Sequence, residues 1–153
     1  MPRNAFTLIE LLVVVGLMSL IAAFTIPTYQ AILSEEQLSQ ATGELVGFLL
    51  LTQQQTVTQQ KIYGVTLTTG ATSVSQYLYD PASGTKTPQT TFNLAANTQL
   101  GTVSFSGQSD IRFSTGAAPN VNGSVEVYNF SQNRHKKITV SPSGSVTANQ
   151  SEY

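Results

Sequence analysis

The chain has 153 residues, 10% of them charged, with a formal net charge of -1, no cysteine, no tryptophan and a single histidine. That length holds one ordinary domain beside a membrane segment and no second large core. The near-neutral balance rules out a strongly anionic or cationic surface as the main recognition device, and the missing cysteines exclude disulfides and thiolate metal sites while leaving the redox compartment unread.

The first five residues, MPRNA, carry one charge, Arg3. An apolar run follows at once over residues 6–26, FTLIELLVVVGLMSLIAAFTI, and is stopped by Pro27. The run matches the roughly 20 residues that a helix needs to cross a bilayer. A secretory signal peptide has a shorter apolar core of about 7–15 residues with a small-residue cleavage site behind it. Ala22 and Ala23 mimic such a site, but Phe24, Thr25 and Ile26 carry the apolar stretch past them. Arg3 on the short side of the span favours a cytoplasmic N-terminus, and the next basic residue, Lys61, lies too far beyond the span to oppose that orientation.

One acid, Glu10, interrupts the run. Ionisable residues inside membrane spans are rare and usually functional. A carboxylate there costs about 2.5–3.5 kcal/mol on insertion scales, and a cation at about 4 Å returns roughly 4 kcal/mol at an effective dielectric of 20. The two quantities are of similar size, so a cationic partner offsets the cost. The competing reading is an interfacial Glu that snorkels to nearby headgroups.

The stretch AFTLIELLVVVGLMSLIAAFTIPTY resembles the N-terminal class III signal of type IV pilins and type II secretion pseudopilins. The resemblance implies cleavage by a prepilin peptidase between Ala5 and Phe6, methylation of the new N-terminus, and partners in an inner-membrane assembly platform and other pilin subunits. The family usually has Gly before the cut, where this chain has Ala5. Glu10 becomes the fifth mature position and Pro27 the twenty-second, as in the family pattern. Cleavage would free an amine on Phe6, and the amine of one subunit would neutralise Glu10 of its neighbour.

Beyond Pro27 there is no further proline before Gln60, and Leu38, Ala41, Leu45, Phe48, Leu49 and Thr52 recur at helical spacing. One continuous helix is predicted, bent or locally melted near Pro27 and softened by Gly43 and Gly47. The two glycines serve equally well as close-packing points against a sheet. Helical geometry over residues 6–60 gives a length of roughly 80 Å, of which about the first third fits a membrane.

After Ile62 the period changes. The segments IYGVTL, SVSQYLYD, TTFNL, TVSFS, DIRF, SVEVYNF and KKITV are β-branched or aromatic and separated by Gly, Pro, Asn and Ser, which predicts short antiparallel strands. In the sixth, Val125, Val127 and Asn129 share one face and Glu126, Tyr128 and Phe130 the other, so its inner face is open; Ile138 and Val140 alternate more clearly. Strands this polar make a thin core by themselves, and the helical stripe over 38–51 is expected to supply the other half.

The pattern DIRFSTGAAPNVNGSVEVYNF followed by HKKITVSPSGSV, with YGVTL behind the helix, resembles the GspH/FimT branch of the pseudopilins. It implies a minor subunit of a secretion pseudopilus or of a type IV pilus tip or priming complex. Some FimT-like minor pilins capture DNA. Arg134, Lys136 and Lys137 hold three of the seven basic residues within four positions, enough for weak, salt-sensitive contact with phosphates. The competing reading is a hairpin tip whose charges keep the sheet soluble and block edge pairing. The family's Gly-Arg pattern near the C-terminus is missing from SGSVTANQSEY, which has no arginine.

Catalysis has little to stand on. The head's acids, Asp80, Asp110, Glu126 and Glu152, form no close sequence pair, and His135 has no nucleophile or orienting acid beside it. Asp80 in YDPASG reads as turn chemistry, with too few carboxylates nearby for calcium. The expectation is an α+β chain: a leader at 1–5, a transmembrane helix at 6–27, an amphipathic continuation at 28–61 and an antiparallel β head at 62–153. It is expected to act as a structural subunit without cofactor, metal or catalytic residue, against the weaker alternative of a bitopic enzyme or receptor with a pilin-like N-terminus.

Overall fold

The computed structural model describes residues 7–131 and 133–152. Helix α1 runs from Leu8 to Gln59. Thr7 caps it, its hydroxyl oxygen accepting from the Glu10 amide at 3.3 Å. At the other end Gln60 takes the left-handed conformation, φ 53°, and its side-chain amide donates to the Val57 carbonyl at 2.7 Å, satisfying a last-turn acceptor. The helix is unbroken through Pro27, Gly43 and Gly47, so the anticipated local melting does not occur. A side chain at Gly43 or Gly47 would meet open space, which removes these glycines as close-packing points within the chain.

Eight strands follow: β1 Ile62–Thr66, β2 Ser73–Asp80, β3 Thr85–Asn93, β4 Thr98–Ser104, β5 Asp110–Phe113, β6 Gly123–Asn129, β7 Arg134–Val140 and β8 Val146–Glu152. They form two four-stranded antiparallel sheets rather than one, in the orders β3-β2-β1-β5 and β4-β6-β7-β8. Three boundaries depart from the sequence reading. Strand β3 starts five residues ahead of TTFNL, β4 starts ahead of TVSFS, and β8 was not anticipated. The cause is the same for β3 and β8: both lie at sheet edges, where polar sequences such as TKTPQT and VTANQSE pair through the backbone without an apolar face.

Residues 34–153 form one compact unit, with the helix from Ser34 onward packed among the strands. Its core joins Leu38, Ala41, Leu45 and Leu49 of α1 to Val65, Val74, Ile111 and Phe113 of the first sheet and Leu100, Val125, Val127, Ile138 and Val140 of the second. The open question in β6 resolves in favour of Val125, Val127 and Asn129, all fully buried. The helical stripe continues through Thr52 to Thr56, both fully buried, while Leu50 and Leu51 lie on the exposed side, Leu51 at 59%.

Candidate assembly and anchoring site

The helix residues up to Leu33 form a separate unit. The apolar side chains of this stretch, Leu8, Ile9, Leu12, Leu20 and Phe24 among them, are exposed, and the helix is long and apolar enough to cross a membrane. A helix surrounded by lipid must satisfy its polar groups internally. Ser19, Thr25 and Thr28 do so, donating to the carbonyls of Val15, Ile21 and Phe24 at 2.7, 2.9 and 3.1 Å. The segment has the length and composition of a membrane anchor. Glu10 lies in the first helical turn, where the positive end of the helix dipole favours an acid. TLIE also has the spacing of a capping box, a signal present in the sequence but masked by the apolar run around it. The cleavage residues Ala5 and Phe6 lie outside the described residues.

The basic run lies beside the β6–β7 hairpin connection, not on its tip: Arg134 opens β7 and pairs with Asn129, Lys136 and Lys137 follow within the strand, and alternation sends Arg134 and Lys136 to one face and Lys137 to the other. Arg134 and Lys136 turn inward to the Glu35 carboxylate of α1, at 3.2 and 2.8 Å. The Lys136 hydrogen bond first, and then the charges of both cations, outweigh burial and hold the Glu35 pKa below its usual value. Next to this clasp, the buried Asn129 amide donates to the Ser34 carbonyl at 3.1 Å. The three cations therefore do not converge on one exposed surface, and two of them tie β7 to the helix.

A second charged cluster covers the outer face of the first sheet. Tyr77, Gly64 and Arg112 are register partners across β2, β1 and β5. A Cβ at Gly64 would stand 2.5 Å from the Tyr77 ring and 2.8 Å from Arg112, so only glycine lets the ring lie across the strand. The Tyr77 hydroxyl thereby donates to Asp110, whose Oδ2 is also 3.3 Å from Lys86 and 3.7 Å from Arg112. Burial pulls the Asp110 pKa upward, but the Tyr77 hydrogen bond, Lys86 and Arg112 more than offset it and the net shift is downward. Burial and the adjacent carboxylate push the Tyr77 hydroxyl far above its ordinary range. The Arg112 guanidinium stacks on Tyr79, 4.5 Å from its ring centre.

A third contact joins both sheets to the helix. The Gln53 amide donates to the carbonyls of Ala117 at 2.7 Å and Gly144 at 3.0 Å. Gly144 has φ +84°, and a Cβ there would fall 2.4 Å from the Ala117 oxygen, which gives the SGSV segment its reason for glycine. Asp80 behaves as expected of a turn residue, accepting from the Ala82 amide and the Ser83 hydroxyl. Among the described residues no group of three His, Cys, Asp or Glu side chains converges to hold a metal.

Residues 1–26 match the family described as the prokaryotic N-terminal methylation motif. The match covers the N-terminal helix, and the two-sheet head behind it gives the chain a pilin-like fold. That fold is similar to those of two minor subunits. It matches the minor pseudopilin EpsH from the Type 2 Secretion System of Vibrio cholerae with a TM-score of 0.60 at 10% identity, covering 74% of this chain and 96% of that one. It matches the type IV minor pilin FimU of Pseudomonas aeruginosa with a TM-score of 0.59 at 14% identity, covering 76% of this chain and 90% of that one. At such identities the likeness is one of fold. No curated protein matches the sequence.

Proposed function

We propose that the protein is a structural minor pilin or pseudopilin. A prepilin peptidase cuts it between Ala5 and Phe6, the helix anchors it in the bacterial inner membrane with its N-terminus cytoplasmic, and it joins a type II secretion pseudopilus or type IV pilus as a priming or tip subunit. The observation that carries this reading is Glu10, an acid in the first turn of the apolar, exposed stretch of the helix and inside the matched methylation motif. Its charge costs energy in a lone membrane helix and is offset when the free amine of a neighbouring subunit approaches.

The test is Glu10→Gln. Glutamine keeps the capping-box geometry and removes only the charge, so the variant inserts in the membrane at least as well as wild type yet fails to join sheared filaments. Incorporation at the wild-type level would contradict the pairing.

A further inference from the structure

A cleft of about 240 Å³ opens on the outer face of the first sheet, walled by Ile62, Tyr79, Arg112, Ala118, Pro119 and Asn120. Its walls are mostly apolar, and its charged element is the Arg112 guanidinium, stacked on Tyr79 and with 27% of the side chain exposed. The Arg112 Nε is buried on the Asp110 side, 3.7 Å from the carboxylate oxygen and without a hydrogen bond among the described residues, so the exposed part of the side chain is what the cleft offers to a ligand. That same oxygen already accepts from Tyr77 and pairs with Lys86. Two cations share one acid, which leaves the cluster with one net positive charge.

A planar guanidinium presents its donors in a fork that matches a carboxylate. We propose that this cleft binds an organic carboxylate carried on an apolar group: the carboxylate pairs with Arg112 while the apolar group lies against Ile62, Tyr79 and Pro119. Tyr79 keeps the guanidinium plane fixed by stacking, so little ordering is needed on binding. The backbone amide of Arg112 is held by the Asn120 side chain at 2.6 Å, which closes that side of the cleft independently of any ligand. A peptide chain end and a free small acid share this chemistry.

The experiment is an NMR titration of the isotopically labelled full chain in detergent micelles with three probes: N-acetylphenylalanine, its neutral amide, and phenylacetate. N-acetylphenylalanine is expected to shift the Arg112 Nε–H and the amides of Ile62, Tyr79 and Asn120 saturably, with the neutral amide binding about tenfold more weakly. Arg112→Gln should abolish binding. Ala118→Leu, which fills the cleft from an exposed loop position, should abolish it with the fold and the Asp110 cluster intact. Preference for N-acetylphenylalanine over phenylacetate supports the site and assigns a peptide end; equal binding supports it and assigns recognition to carboxylate and ring alone. Absence of saturable shifts in the wild-type chain, equal binding of the neutral amide, or undiminished binding in Ala118→Leu would overturn the proposal.

Discussion

Two residues show how narrowly single positions constrain the head. Gly144 combines a left-handed backbone with an oxygen 2.4 Å from where a Cβ would stand. Since that oxygen belongs to the Ala117 main chain, no side-chain rotation relieves the contact. Gly144→Ala should therefore lower stability by about 2–4 kcal/mol, read as a shift of the denaturant midpoint of the full chain in detergent. Glu35 acts through charge instead. Its folded pKa lies below the ordinary value of 4.5, so the clasp contributes fully above that value and is lost as pH falls through the lower folded one. Glu35→Gln should cost about 1 kcal/mol at neutral pH and flatten the loss of stability below pH 4.5. An unchanged acid profile in the variant would mean that other carboxylates set it.

At the scale of elements, α1 does two jobs on two stretches. Its later half contributes one face to the head: Leu45 is fully buried while Leu51, nearly two turns on, is exposed. Leu45→Ala should cost about 2–5 kcal/mol through lost packing and a residual cavity, and Leu51→Ala less than about 0.5 kcal/mol; comparable losses at both would contradict the assigned face. This face was legible in the sequence because helical periodicity is local, repeating every three or four residues. Strands β1, β2 and β5 were legible from their β-branched and aromatic residues. The polar edge strand β8 and the start of β3 were not, since edge pairing asks only for backbone donors and acceptors. The Arg134–Glu35 contact was equally hidden. It joins positions 99 apart, and nothing local to RHKKITV says that Arg134 and Lys136 face a helix. The Arg112 cluster escaped for the same reason, as it assembles side chains from three strands.

For the whole molecule, the parts support one economy. A helix that is apolar on all sides up to Leu33, with its hydroxyls satisfied on its own carbonyls, suits a lipid environment, and the same helix then supplies the core of a head stabilised by Glu35, Gln53 and Asn129. Glu10 is the exception, an acid in the first turn of that stretch, and under the proposed function its cost in the lone span is offset by the helix dipole together with a cation brought from a neighbouring subunit. That cation is proposed to be the amine made by cleavage. The most direct measurement is the N-terminal sequence and mass of the chain recovered from membranes and filaments of its native cells. The account predicts a chain beginning at Phe6 with a methylated amine; a chain still beginning at Met1, or one cut behind the apolar span, would contradict it.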